Sequence, residues 1–469
     1  MRKRGIRNFL FHLVAAVCAV LALCHFVWTD ARACDVAVVS GKITANGRPL
    51  IWKNRDCSAN WHQQVAFFPG EYAGPGSYIM VHDYDDVANM NNGTPVNPSG
   101  GLNQAGFAIA CTSVYEDFMP TNEAININTM LIWEALKRCV TVSDFENLVR
   151  EWHTWHVGKV ISGNFVVIDA RGGAALFECY TGSVLGLIRP VQFRKFDANT
   201  GRVTDQYGIT LRYPSGGYCG YENRANNNSY IFINYGEERK VRADEILSAL
   251  AGSGTLDYRS VMRLVARDVN GKQIAASSSD SNYSTTYCIS RSQTRLALVV
   301  DGVNAGDDPH LATFWCNMGE PSIGIFTPYF PHGGDVPYAA YVDDLTIAGA
   351  FYDTNDTCLM NRAINRREIY DNLMYESNDG NAVTGIDDGT INKLELAKVQ
   401  AWTLPLEDII MDSTEEYLDQ LRGNSSLATP ENLYDLSAYC MAYGYINYNE
   451  TSPGLFYGWD LDKPLGLFW

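Results

Sequence analysis

ARACDVAVVSGKITANGRPLIWKNRDC, residues 31–57, decides how the rest of the chain is read. Its segment 35–41, DVAVVSG, is short, apolar and β-branched, the composition of a strand. Asn46-Gly47 is a hairpin turn signal, and Pro49 to Lys53 reads as the returning strand. The hairpin brings Lys53-Asn54-Arg55-Asp56 back toward the end where Cys34 begins. Just upstream, Ala31-Arg32-Ala33 places small residues where a signal peptidase requires them. A cut after Ala33 leaves Cys34 with a thiol and a free α-amine. Such an amine titrates near about pH 8, so it can act as a base without any histidine.

Residues 1–33 read as an export leader. Arg2, Lys3, Arg4 and Arg7 form a positive start, and Phe9 to Trp28 is mostly apolar, interrupted by His12 and His25. The run is long enough that an uncleaved membrane anchor is the competing reading. Acylation of Cys34 as a lipoprotein fits less well, because a lipobox wants a large aliphatic residue where Ala31 stands and tolerates Arg32 poorly. The expected location is therefore periplasmic or secreted, and signal peptidase is an expected processing partner.

The chain has 469 residues and a formal charge of −17, which becomes −21 once five basic residues and one acidic residue leave with the leader. That acidity argues against nucleic-acid binding. Apolar residues make up 46% and charged residues 19%, enough for a large core. Of 12 cysteines, Cys18 and Cys24 fall in the leader; no C-x-x-C pair or zinc-like Cys/His spacing occurs, so neither metal nor cofactor is expected. An EF-hand-like run near Asp388 and Glu395 has Thr384 and Ile386 where calcium-binding carboxylates should open the loop, and reads as a solvated acidic turn.

Downstream, residues 69–100 read as a surface loop and LNQAGFAIACTSV as one strand. Two helices are expected over Ala124–Cys139 and up to Trp155, the second capped by Ser143. Residues 164–179 read as a hairpin turning at Gly172-Gly173, and a loop-rich stretch spans 196–229. A strand is expected over Tyr230–Asn234, helices from about Glu237 and over Tyr258–Asp268, and a third hairpin over 288–303. Beyond 330, helices are expected over Ile391–Trp402 and Asp412–Arg422. Hairpins with segregated helices predict an α+β fold of stacked antiparallel sheets, with domain limits 1–33, 34–330 and a helical extension 331–469.

On residue type alone, Lys53 reads as a solvated charge, Asp56 as a turn cap and Arg239 as a helix-face charge. Order makes them more specific. Cys34 with its strand, WKNRD (52–56), GLNQAGFAIA (101–110), NFVVIDARGGAALFE (164–178), and YENRANN followed by ERKVRADEIL occur in sequence. Together they resemble the cysteine branch of the N-terminal nucleophile hydrolases, the group of choloylglycine hydrolases, penicillin V acylases and isopenicillin N acyltransferase-like enzymes, over roughly residues 34–330.

The resemblance implies a four-layer αββα sandwich and hydrolysis of linear, non-peptide amide bonds. It implies Cys34 as nucleophile and, through its amine, as base; Asp56 as the group that binds that amine or thiol; and Lys53 as positive charge. Asn226 matches an oxyanion donor, with Asn227 and Asn228 as alternatives in the same run, and Arg239 matches an arginine that tunes the nucleophile. Lys53 stands where bile-salt enzymes carry arginine, and Ser113 stands where an oxyanion asparagine or tyrosine is usual. Both departures weaken a bile-salt assignment. The implied substrate is a small N-acyl amide, with acyl transfer or dipeptide cleavage on the same framework as alternatives. A homo-oligomer is open, and a non-catalytic anchored ligand-binding protein is the reading from another class.

Overall fold

The opening hairpin is present: β1 (Asp35–Val39) and β2 (Leu50–Asp56) pair antiparallel, with Val39 opposite Leu50 and Asp35 opposite Asn54. Its connection is longer than a two-residue turn. Residues 40–49 lie outside both strands, and Gly47 takes φ +79°, a conformation that suits glycine. The computed structural model describes residues 34–56, 63–71, 74–83, 97–113, 128–155, 161, 163–184, 187–212, 218–221, 235–271, 282–285, 287–291, 294–337, 374–375 and 390–447.

A nine-stranded antiparallel sheet follows as a meander in which every strand pairs with its sequence neighbours. It comprises β3 (Gln63–Phe68), β4 (Tyr78–Asp83), β5 (Gly100–Asn103), β6 (Ala108–Ser113), β7 (Gly163–Ile168), β8 (Ala174–Val184), β9 (Leu187–Asp197), β10 (Arg202–Asp205) and β11 (Thr210–Arg212). A second sheet of six strands has the order β12-β1-β2-β14-β15-β16. Here β12 is Tyr218–Tyr221, β14 is Thr294–Asp301, β15 is Thr313–Met318 and β16 is Thr327–Tyr329. The remaining strands, β13 (Asn282–Ser284), β17 (Met374–Tyr375) and β18 (Thr390–Asn392), form a small third sheet.

The two large sheets face each other, β1 and β2 lying against β6 and β7. The pleat of β7 sorts its residues. Val166 and Ile168 enter the cluster between the sheets, whereas Phe165 and Val167 join an outer cluster under helices α1 (Asn128–Arg138) and α2 (Val142–Trp155). Phe145 of α2 anchors that layer, its ring 5.1 Å from Phe177 and 5.8 Å from Phe165. On the outer side of the six-stranded sheet lie α3 (Tyr235–Ser253), the short α4 (Tyr258–Ser260) and the π turn Val261–Val265 that continues it. The architecture is α+β, with helices outside a pair of antiparallel sheets.

Gly100 and Gly101 show why close packing selects glycine. A Cβ at Gly100 would lie 3.0 Å from the Leu298 side chain of the opposing sheet, and one at Gly101 would lie 2.6 Å from Leu136 of α1. These residues sit where β5 is hemmed in by the opposing sheet on one face and by α1 on the other.

Several expectations fail for local reasons. LNQAGFAIACTSV is a hairpin, because Gly106 at φ +79° turns the chain between β5 and β6. Asn103 accepts from Phe107 N and donates to the carbonyls of Leu136 and Cys139, so it also closes the end of α1. The presumed loop 69–100 contains β4, and the loop-rich stretch 196–229 contains β10, β11 and β12. Helix α2 is capped by Thr141, whose hydroxyl accepts from Asp144 N while the Asp144 carboxylate accepts from Thr141 N; Ser143 is not the cap. Residues 288–303 are no hairpin, since β14 pairs with β2 and β15.

The two expected C-terminal helices are one, α5 (Lys393–Gly423), which continues through Pro405. Proline removes a backbone donor there, and beside it Arg263 Nη2 donates to the Leu404 carbonyl at 2.7 Å, tying this part of the helix to the π turn. Helix α6 (Pro430–Asn447) packs on β16, and residues such as Ile410, Leu418, Leu433 and Leu436 belong to the same core as β1 and β2. The expected strand 230–234 and the EF-hand-like positions Thr384, Ile386 and Asp388 lie outside the described residues. Among the described residues no helix is long and apolar enough to cross a membrane, and no group of three or more His, Cys, Asp or Glu could hold a metal.

Candidate active site

β2 carries four consecutive polar residues, Lys53-Asn54-Arg55-Asp56, and all four are buried. It can do so because it is an interior strand flanked by β1 and β14, so each side chain must find a partner inside the protein. Lys53, read from sequence as a solvated charge, is 2% exposed and donates from Nζ to the Cys111 carbonyl of β6. Its stem therefore lies between the two sheets.

Asn54 faces the opposite way. Its amide donates to the carbonyls of Ala266 (2.9 Å) and Ile289 (3.1 Å) and accepts from Trp52 Nε1 at 2.9 Å. This residue is structural: it ties the strand to the end of the π turn and to the turn before β14.

Asp56 shares the Asn54 face by alternation. Oδ2 accepts from Arg291 Nε at 2.9 Å and Nη2 at 2.7 Å, while Oδ1 accepts from the Thr294 hydroxyl at 2.7 Å. Arg291 and Thr294 were not singled out in the sequence. They sit in an inconspicuous turn, and only the register of β14 against β2, with Thr294 opposite Asp56, brings them in.

Asp35 lies opposite Asn54 and so faces the same helix layer. Arg239 of α3 reaches it, with Nε 3.1 Å from Oδ1 and 3.0 Å from Oδ2; the Arg239 and Asp35 side chains are 0% and 7% exposed. Arg239, expected from sequence to tune the nucleophile, thus bonds the residue next to it. Burial pushes the Asp35 carboxyl up to about 6, against the pull of Arg239 and with an added push from Asp56. Its one sequence signal was a carboxylate opening an otherwise apolar strand.

Cys34 precedes Asp35 and by alternation shares the Lys53 face. It is partly exposed, whereas Cys111, Cys139, Cys179, Cys288, Cys316 and Cys440 are buried; all seven are free thiols. Burial drives the Cys139, Cys179 and Cys316 thiols far above their ordinary range and Cys440 up to about 12. It also raises Cys111, which Lys53 and Arg55 pull back and Cys34 raises further. Buried, protonated thiols of this kind are inert.

The strand pair therefore separates two environments. Cys34, Lys53 and Arg55 gather between the sheets, where Lys53 bonds the Cys111 carbonyl, and Asp35, Asp56, Arg239 and Arg291 gather beneath the helices. The backbone of Ser113 lies at the end of β6 opposite Gly163, and Asn226 lies outside the described residues. His310 and His332 stack at 3.7 Å elsewhere, joined by the Gln104 amide at 3.2 and 2.7 Å. An open groove of about 680 Å³ between α3, the π turn and α5 is lined by Arg242, Leu264, Arg267 and Leu404, not by the Cys34 cluster. No protein-family model matches the chain, and neither does any curated protein.

Proposed function

We propose that the chain is an exported cysteine hydrolase of the N-terminal nucleophile type, acting on linear, non-peptide amide bonds of small N-acyl substrates. The observation that carries this reading is the position of Cys34. It is a partly exposed thiol immediately before an interior strand, on the face of the buried Lys53 and backed by the buried pairs Asp35–Arg239 and Asp56–Arg291. The paired antiparallel sheets with outer helices support the αββα sandwich of that class.

Cleavage after Ala33 frees the α-amine of Cys34, which takes the thiol proton. The thiolate attacks the acyl carbon, and the carbonyl pair moves onto oxygen to give a tetrahedral oxyanion. Collapse breaks the C–N bond, and the leaving amine carries off the proton held by the α-ammonium. A thioester remains. The amine then deprotonates water, which attacks the thioester, and the thiol leaves with that proton as the acid is released. The sum is amide plus water giving acid plus amine. Acyl transfer replaces water by a second amine in the same sequence.

The test is turnover of a panel of N-acyl amides by secreted wild type and Cys34→Ser. The mutant is expected to fold normally and to lose activity by about 10³-fold or more. Unchanged turnover in Cys34→Ser would eliminate the proposal, as would activity in a protein that retains a residue before Cys34.

A further inference from the structure

We infer that Asp35 is a positioning residue for Cys34, through which Arg239 fixes the direction of the nucleophile and the charge balance around it. The idea rests on the proposed role of Cys34 and adds a partner that the motif resemblance did not supply. The geometry has three parts. Asp35 is covalently next to Cys34 but points to the opposite face of β1. Arg239 grips both of its carboxylate oxygens from α3 inside a region 1% to 5% exposed. A residue pinned this way fixes the strand end and hence the direction in which Cys34 projects.

The charge arrangement adds a second consequence. The groups facing Asp35 are Arg239 from α3, Asp56 from β2 and Arg291 from the turn before β14. Lys53 and Arg55 of β2 share the Cys34 face on the other side of the strand pair. Two carboxylates and two arginines beneath the helices balance. The Cys34 thiol and amine are therefore not held against a net anion, which would trap the amine as ammonium and oppose the thiolate. Removing one member unbalances the set in a direction fixed by its sign.

Alkylation of Cys34 by iodoacetamide across pH, read by mass spectrometry on the peptide that begins at Cys34, tests this without any substrate. Asp35→Asn leaves Arg239 uncompensated, and Cys34 should become reactive at a pH lower by roughly one unit. Arg239→Gln leaves Asp35 uncompensated and should shift the profile upward by a similar amount. The double variant, neutral at both positions, should return toward wild type. Wild type alone also decides the matter: titration of Asp35 near 6 should appear as a second inflection in its alkylation profile.

Folded variants with the wild-type midpoint, or a wild-type profile with a single inflection where the variants do not fold, would overturn the inference. A role in folding alone would lower stability without moving the midpoint. If the midpoints move but no amide is turned over, the hydrolase reading fails and the Asp35 assignment stands. If amides are hydrolysed while the midpoints stay fixed, the opposite holds.

Discussion

Two regions of the molecule bury arginine–carboxylate pairs, and they use them differently. Where the C-terminal helices meet the core, Arg267 bonds Glu407 at 2.9 and 2.5 Å and the Gly324 carbonyl at 2.8 Å, and Glu407 accepts from Phe326 N at 2.8 Å. Nearby, Arg48 bridges Asp301 at 2.6 Å and Glu415 at 2.8 Å. No described cysteine thiol is among these partners. At the Cys34 end, Asp35–Arg239 and Asp56–Arg291 are as deeply buried, yet a partly exposed thiol immediately precedes Asp35. The junction charges join elements; those under Cys34 also set the surroundings of a partly exposed thiol. Burial pushes both Asp301 and Asp35 up to about 6, so a shifted carboxyl does not by itself distinguish the two uses.

The contrast can be broken most forcefully at Glu407. Glu407→Ala strands the Arg267 charge and is expected to cost about 3–5 kcal/mol in chemical denaturation. It should leave the pH profile of Cys34 alkylation unchanged. A shifted profile would mean that the junction and the site are one electrostatic unit.

Asp301 gives a smaller effect with a defined sign. Its folded pKa lies above its unfolded value, so the native state binds the extra proton between about pH 4 and 6 and its contribution to stability falls as pH rises through that window. Relative to Asp301→Asn, wild type should lose roughly 2–3 kcal/mol from pH 4 to 6.5 and then stay level. The comparison with the variant is needed because His332, held below its ordinary value by burial, works in the opposite direction. A constant difference across pH would remove Asp301 from the comparison.

The smallest effect belongs to an exposed pair. Arg138 and Glu151 are 2.7 Å apart but 43% and 39% exposed. Arg138→Ala should change stability by less than about 1 kcal/mol, and still less at high salt. A larger loss would show that burial is not what separates strong pairs from weak ones in this protein.

Much of the fold was legible because its elements are local. The β1–β2 hairpin, the β7–β8 hairpin at Gly172 and the outer helices α1 and α2 follow from alternation, turn residues and helical spacing. What was not legible depends on distant register. Lys53 looks solvated until β2 is known to be an interior strand, and Arg291 is one more arginine in a turn until β14 lies against Asp56. Asp35 had a local signal, but its partner lies 204 residues away. The helices expected over Ile391–Trp402 and Asp412–Arg422 are one, because tertiary packing carries the chain through Pro405 between them.

The two sheets also differ in when they can exist. The nine-stranded sheet joins successive strands, so each pairing closes a comparatively short loop as the chain emerges. The sheet bearing Cys34 must wait for contacts spanning 204 residues to Arg239 and 238 residues to Thr294. Closing such loops is entropically slow and comes late in folding. A newly made chain therefore carries its cysteine first and its supporting charges last. During that interval the cysteine has neither a fixed direction nor a balanced field, and the order of assembly leaves its surroundings to be completed last.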